Sequence, residues 1–284
     1  MLACPFSFFY NLLAEIVKNE FDRAERIDLR YQCRLPYCFG SHLRPHMTAT
    51  IEKRIDALDW GSLEQSLSAR GYVVTSPILT PEECAGIVEL YKDESRFRSQ
   101  VIMERYRFGI GDYKYFNYPL PDTVAALRTS AYPHLAKVAN HWGEALGEAG
   151  TGYPQDHAEF LKICHKAGQK KPTPLLLHYE AGGYNCLHQD IYGEVSFPLQ
   201  MVFLLGQSGR DWEGGEFVLV EQQPRAQSKA EVVGAEQGQG IIFTTRYRPV
   251  KGSRGYYRVN LRHGVSRVHR GTRYTLGVIF HDAK

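Results

Sequence analysis

From residue 172 to its end the chain is cut into short apolar or alternating segments separated by turn residues: TPLLLHYE, YNCLHQDIYG, PLQMVFLLGQ, GEFVLVEQ, QGIIFTT, YYRVNLRHGVSRV and RYTLGVIFHD. Seven such strands in about 110 residues point to a β-sandwich or a small barrel. The residues before them carry a helical period instead. TATIEKRIDALDWGSLEQSLSARG ends at Gly71, and TPEECAGIVELYKDE opens with Thr80 as cap and Pro81 in the first turn. DTVAALRTSAYPHLAKVANHWGEALGEAG is expected to be helical in pieces, broken at Pro133, with PQDHAEFLKICHKAG as a further helix and YVVTSPIL as a strand. The expected class is α+β: a single domain over 47–284, with a helical layer (47–171) packed on a barrel core (172–284).

At 284 residues, 43% of them apolar, the chain can bury a substantial core. Residues 1–46 lack a sustained period and read as an extension ahead of Met47, expected to be poorly ordered. Cys33, Cys38, His42 and His46 imitate a zinc spacing there, but the gap between the pairs is too short for a zinc finger. No apolar run reaches the ~18 residues of a membrane span, and the start MLACPFSFFYNLLAEIV has neither basic flank nor cleavage site. Six scattered cysteines read as reduced thiols, so the expected location is cytoplasmic. Charge is lopsided: residues 244–284 hold ten Lys/Arg against the one acid Asp282, and the remainder holds 24 against 30. A basic block of this density is either a solvated face or a seat for phosphates.

In YNCLHQDIYG, His188 and Asp190 stand two apart on an expected strand, so both side chains leave the same face. A His-x-Asp pair needs a third ligand. Two neutral imidazoles and one carboxylate leave half an octahedron open, the arrangement in which Fe(II) takes an organic co-substrate and then oxygen. HGVSRVHRGTRYTLGVIFH offers His263, His269 and His281. This stretch reads as a hairpin with His269 and Gly271 in the turn. On the return strand Tyr274, Leu276, Val278 and Phe280 share a face suited to helices, and Arg273, Thr275, Gly277 and Ile279 share the other. An arginine pointing into a barrel requires an anion, and a dicarboxylate bridging Arg273 and a metal, helped by Thr275, would supply it. His281 lies about 26 Å along the strand from Arg273, too far to share one small acid with it, whereas His263 stands roughly 13 Å from the position opposite Arg273.

With YEAGGYNCLHQD, WEGGEFVLVE and HGVSRVHRGTRYTLGVIFH in that order, residues 71–282 resemble the 2-oxoglutarate- and Fe(II)-dependent dioxygenases. The resemblance implies a double-stranded β-helix, a jelly-roll or cupin-like barrel. It implies His188, Asp190 and His263 as iron ligands and catalytic centre, Arg273 as the clamp on the far carboxylate of 2-oxoglutarate, and Tyr179 as an auxiliary hydroxyl donor. The implied reaction consumes O2 and releases succinate and CO2, with hydroxylation or oxidative demethylation of a substrate.

The subfamily it resembles most is a bacterial one of oxygenases acting on damaged or alkylated nucleic acid. RYRFGIGDYKYFNY interleaves Arg105, Arg107 and Lys114 with aromatics, and TTRYRPVKGSRGYYR adds Arg246 and Arg258. Aromatics stack bases while cations hold phosphates, so Tyr113, Lys114, Tyr115, Arg246 and Arg258 are the candidate substrate contacts and alkylated DNA or RNA the candidate partner. An aromatic strand pair packed in the core with a charged rim is the plainer reading. The alkylated-DNA dioxygenases carry a second arginine six residues after the clamp, where this chain has Ile279. The alternatives are a prolyl-type protein hydroxylase or small-molecule hydroxylase, for which the Gly214-Gly215-Glu216 turn speaks, and a metal-free barrel that senses an anion.

Overall fold

The computed structural model describes residues 49–148, 152–191 and 193–284. The extension and its Cys/His group lie outside the described residues. Among the described residues there are five α-helices: α1 (Ile51–Asp56), α2 (Trp60–Arg70), α3 (Pro81–Glu89), α4 (Asp122–Ala145) and α5 (His157–Lys166). Local chemistry sets their ends. The Asp59 side chain accepts from Ser62 N at the start of α2, and Gly71 closes that helix at φ 79°. Thr80 and Glu83 form a capping box on α3, with Pro81 in its first turn. Asp156 caps α5.

Helix α4 departs from expectation, because it runs unbroken through Pro133. A mid-helix proline removes a hydrogen bond and costs about 3 kcal/mol. Here Ala131, Tyr132, Leu135 and Ala136 around it are fully buried against the sheet. Burying one large apolar side chain returns ~1.5–3 kcal/mol, so the packing of this face outweighs the proline.

The strands are β1 (Tyr72–Pro77), β2 (Phe97–Ile102), β3 (Gly109–Ile110), β4 (Asp112–Phe116), β5 (Leu175–Tyr179), β6 (Tyr184–His188), β7 (Leu199–Leu204), β8 (Trp212–Gly214), β9 (Phe217–Gln222), β10 (Lys229–Val233), β11 (Gln239–Thr244), β12 (Tyr247–Gly252), β13 (Gly255–Val265), β14 (Val268–Gly271) and β15 (Arg273–Ile279). They build a seven-stranded sheet, β1-β11-β7-β15-β5-β4-β2, and a six-stranded one, β10-β9-β13-β6-β3 with β12 on β13; β14 and β8 form a small pair. The named pairings are antiparallel. This is the expected double-stranded β-helix with helices on one sheet.

Alternation decides what each strand faces. On β7, Leu199, Met201 and Phe203 join the helices' core with Leu127, Tyr132 and Leu135, while Val202 and Leu204 join the barrel core with Phe217, Leu219 and Phe243. On β15 and at the residue after it, Leu276, Val278 and Phe280 face the helices, and Arg273, Thr275, Gly277 and Ile279 line the barrel cavity, as their period predicts.

Two expectations are corrected. Residues 47–171 hold more than the helices and the one strand expected there, which is β1: β2 and β4 also extend the seven-stranded sheet and β3 joins the other. The stretch 263–281 is not a hairpin either. Strand β13 pairs with β6, β9 and β12, and β15 pairs with β5 and β7 in the opposite sheet. The chain crosses between sheets through β14, which pairs with β8, so His269 lies on a short strand rather than in a turn. Gly271 makes the crossing possible: its φ is 79°, and a Cβ there would meet Asp211 O at 2.0 Å.

Candidate metal centre

Strands β6 and β13 lie side by side with His188 opposite His263, and the two imidazole centroids are 4.2 Å apart. Asp190 follows two residues after β6 ends, in a segment held by Gln189, whose Nε2 donates to Leu261 O at 2.8 Å and Arg246 O at 3.0 Å. With those two bonds holding the segment, Asp190 is buried and comes within 3.5 Å of His188 Nε2 and 3.2 Å of His263 Nε2. The ligand atoms of the three residues all lie within 4.8 Å of one another, and among the described residues this is the one group of three or more His, Cys, Asp or Glu so arranged.

Neighbours fix the ligand orientations. The Nδ1 of His188 bonds to Cys186 O at 2.8 Å, which leaves Nε2 as the nitrogen turned to Asp190. Phe243 meets the His263 ring edge-on at 4.7 Å and Phe217 stacks with it at 5.9 Å. Burial pushes His263 below its ordinary value, so it stands ready as a neutral imidazole. Burial opposes the Asp190 charge, yet the two imidazoles hold its carboxyl well below the usual range. Against burial, the Asp190 charge raises His188, so that imidazole would give up its proton as a cation binds; an ionised carboxylate with two imidazole nitrogens and three open positions suits Fe(II).

A residue that the sequence reading passed over completes the centre. Gln200 is buried on β7 and donates from Nε2 to Asp190 Oδ2 at 2.6 Å. It stands alone as a polar side chain within LQMVFL, which was the signal for it. Gln200→Leu is expected to weaken Fe(II) binding about 10- to 100-fold, the usual cost of losing a partner that orients a ligand. A metal titration of the variant checks this, and unchanged affinity would remove Gln200 from the site.

Arg273 stands on the opposite sheet with Tyr179 as its partner across the ladder. Its side chain is 1% exposed, lies over the Tyr179 and Trp212 rings at 5.6 and 5.8 Å, and has only a 3.5 Å contact from Nη1 to Thr275 Oγ1. Its Nε is buried with no hydrogen-bond partner among the described residues. An arginine remains charged even here, so the cavity presents a desolvated fork awaiting an anion. Gly215, at φ 63°, lets the turn pass this side chain, since a Cβ there would meet Arg273 Cδ at 2.9 Å. That packing accounts for Gly215, and the close approach of the Arg267 carbonyl and the His269 ring accounts for Gly214, without reference to any substrate. Burial pushes the Tyr179 hydroxyl up to about 12, which keeps it protonated, and Asn185 Nδ2 lies 3.4 Å from it.

Both groups line one cavity of about 380 Å³, with Tyr113 and Tyr115 on its wall. The remaining candidates fall elsewhere. Lys114 points to the other side of β4, as its place between two inward tyrosines requires, and its Nζ donates to Glu94 Oε1 at 2.5 Å and Tyr91 O at 3.0 Å. Arg258 is paired with Glu148 at 2.5 Å, and Arg246 is exposed over the Tyr247 ring; neither lines the cavity. His269 is exposed. His281 is buried, accepting at Nδ1 from Phe197 N at 3.2 Å.

Residues 111–283 match the family described as oxygenase, catalysing oxidative methylation of damaged DNA. Two uncharacterised proteins of Mycobacterium tuberculosis, from strains CDC 1551 / Oshkosh and H37Rv, are each 45% identical over 168 residues, 59% of this chain and 72% of theirs. Among solved structures, a Pseudomonas putida prolyl-4-hydroxylase is similar at a TM-score of 0.46 and 12% identity, over 77% of this chain and 96% of that one. A 2OG-Fe(II) oxygenase family oxidoreductase from Burkholderia pseudomallei is similar at a TM-score of 0.46 and 14% identity, over 79% and 92%.

Proposed function

Since the chain belongs to this oxygenase family, matched over residues 111–283, we propose that it is an Fe(II)- and 2-oxoglutarate-dependent oxygenase that oxidises alkyl groups on damaged nucleic acid. One observation carries the reading. A carboxylate and two imidazoles converge in the same cavity that buries an arginine with no carboxylate hydrogen-bonded to it among the described residues.

The residues divide the work. His188, Asp190 and His263 would hold the metal, and Gln200 keeps the Asp190 carboxylate turned toward the two imidazoles. Arg273 would clamp the far carboxylate of 2-oxoglutarate through its guanidinium, with Thr275 and the protonated Tyr179 hydroxyl beside it. Iron with 2-oxoglutarate and O2 supplies an oxidant for a C–H bond, one oxygen atom going to that carbon and the other into succinate as CO2 leaves. Apolar walls including Leu175, Leu177 and Val202 keep water from the reacting carbon. When that carbon is an N-methyl group, the hydroxylated product loses formaldehyde and the base is restored.

The test is incubation with Fe(II), 2-oxoglutarate and single-stranded oligonucleotides bearing N-methylated bases, with a cell-extract peptide pool in parallel. Succinate in step with methyl loss, read by mass spectrometry, is the expected result. No succinate under any condition sinks the enzyme reading, and hydroxylated peptide with untouched oligonucleotide sinks the nucleic-acid reading. No helix among the described residues is long and apolar enough to cross a membrane. A cytoplasmic site of action remains our proposal, on the reading of the cysteines as thiols.

A further inference from the structure

Tyr106 and Phe108 are 59% and 46% exposed, and their rings stack on one another with centroids 5.5 Å apart and 22° between planes. Exposed apolar side chains that form one contiguous patch, unlike those scattered singly, mark interaction sites. Phe108 and the intervening Arg107 line the cavity that holds the His/Asp/His group, so the pair stands at its mouth. Resting on the nucleic-acid reading above, we propose that this segment is the entry platform for a single strand. The rings of Tyr106 and Phe108 stack the base next to the target, Arg107 holds the adjoining phosphate, and the target base enters the cavity between Tyr113 and the metal ligands.

The platform is built rather than loose. Arg107 has φ 59°, a left-handed conformation that a side-chain-bearing residue keeps only when its surroundings enforce it. They do so here: Arg107 N donates to Glu104 O at 3.2 Å, Phe108 N to Met103 O at 3.1 Å and Cys186 N to Phe108 O at 2.8 Å. Met103 is fully buried in the barrel core. Strand β3 begins at the next residue, where a Cβ on Gly109 would meet Tyr184 O at 2.2 Å, and pairs with β6, which ends in His188. The same short ladder thus places the platform and a metal ligand in fixed relation.

Its chemistry selects the occupant. The Arg105 and Arg107 guanidinium groups have no carboxylate partner among the described residues, although Glu104 is adjacent in sequence, whereas Lys114 and Arg258 are spent on Glu94 and Glu148. Exposed Leu187 also lines the cavity, and exposed Ile110 lies on β3, paired to the same strand β6. Stacked ring faces beside free cations fit the alternation of base and phosphate in a single strand and favour no sequence. A duplex holds its bases within the stack, so a reacting atom inside a barrel reaches a base only when it is unpaired or flipped.

The experiment measures binding of a fluorescent single-stranded oligodeoxynucleotide with one methylated base to the full chain, across a salt series. Phe108→Leu is expected to weaken binding roughly ten- to hundredfold and Phe108→Trp to retain it, since stacking needs a ring face and not merely an apolar side chain. Arg107→Ala should lower the slope of log Kd against log salt by about 0.7, one phosphate contact on a single strand. Thermal melting of each variant checks that it folds. If the wild type binds no oligonucleotide, the underlying reading fails. If it binds and Phe108→Leu and Arg107→Ala bind equally well, or if duplex binds as tightly as single strand, the platform is overturned while the reading stands.

Discussion

His263→Ala is expected to reduce iron-dependent succinate release to the level seen without iron, while His269→Ala leaves most of it. The two residues are six apart in sequence, and their surroundings explain the difference. His263 is buried on the inner face of β13, opposite His188 in register and 3.2 Å from Asp190. Removing it leaves one imidazole and one carboxylate, too few to hold Fe(II) in the open three-ligand geometry. The Asp190 charge also loses a hydrogen-bond partner in a desolvated site, so metal binding should fall together with turnover. His269 lies on β14, exposed, in a segment whose backbone pairs with β8 whatever its side chain. Succinate release and Fe(II) titration on both variants read the contrast. Retained turnover in His263→Ala, or equal loss in His269→Ala, would break the assignment of the triad.

How far this site could be read from sequence depended on whether a local period or a distant partner was at stake. Arg273 and Thr275 were legible as inward residues because alternation along β15 is local, and Leu276, Val278 and Phe280 confirmed its other face. The partner of β15 was not legible. Two amphipathic strands separated by a glycine look like a hairpin whether or not they pair, and here each belongs to a different sheet. His263 and Arg273 therefore meet the same cavity from opposite walls, and the distance along a shared hairpin was never the relevant quantity. Lys114 was an avoidable error, since a residue between two inward tyrosines on a strand must face outward. Strands β8, β10, β12 and β14 were missed because short or edge strands with few buried positions carry little hydrophobic signal, as the exposed pattern of Lys229–Val233 illustrates. Gln189 acts through two hydrogen bonds to backbone carbonyls far along the chain, and Gln200 through one to Asp190 on a different segment, which no spacing announces.

Asp282→Ala is expected to destabilise the fold by about 3–5 kcal/mol, the cost of stranding a buried charge. Arg128 is 1% exposed within α4 and donates to Ile279 O at 2.8 Å, to Phe280 O and His281 O at 3.1 Å, and to Asp282 Oδ1 at 2.9 Å. It thereby grips the chain where β15 leaves the barrel. Its neighbours cannot replace the carboxylate. Burial, with the Arg128 charge adding to it, pushes His157 and His281 down to about 4, so both are neutral near pH 7, and an imidazole offers an arginine no negative charge in either form. Tyr118 and His165 also direct their polar atoms at Asp282, at 3.0 and 2.8 Å, and would lose that partner together with the arginine. Urea unfolding without metal or co-substrate isolates the effect, because either would add its own stabilisation to the folded state. The double variant Arg128→Met/Asp282→Ala should recover part of the loss, since no buried charge then remains. A loss below about 1 kcal/mol for Asp282→Ala, the range of an ordinary single hydrogen bond, would mean that the carbonyls alone satisfy Arg128. The strand carrying Arg273 would then be anchored to the helices by apolar packing rather than by this charge.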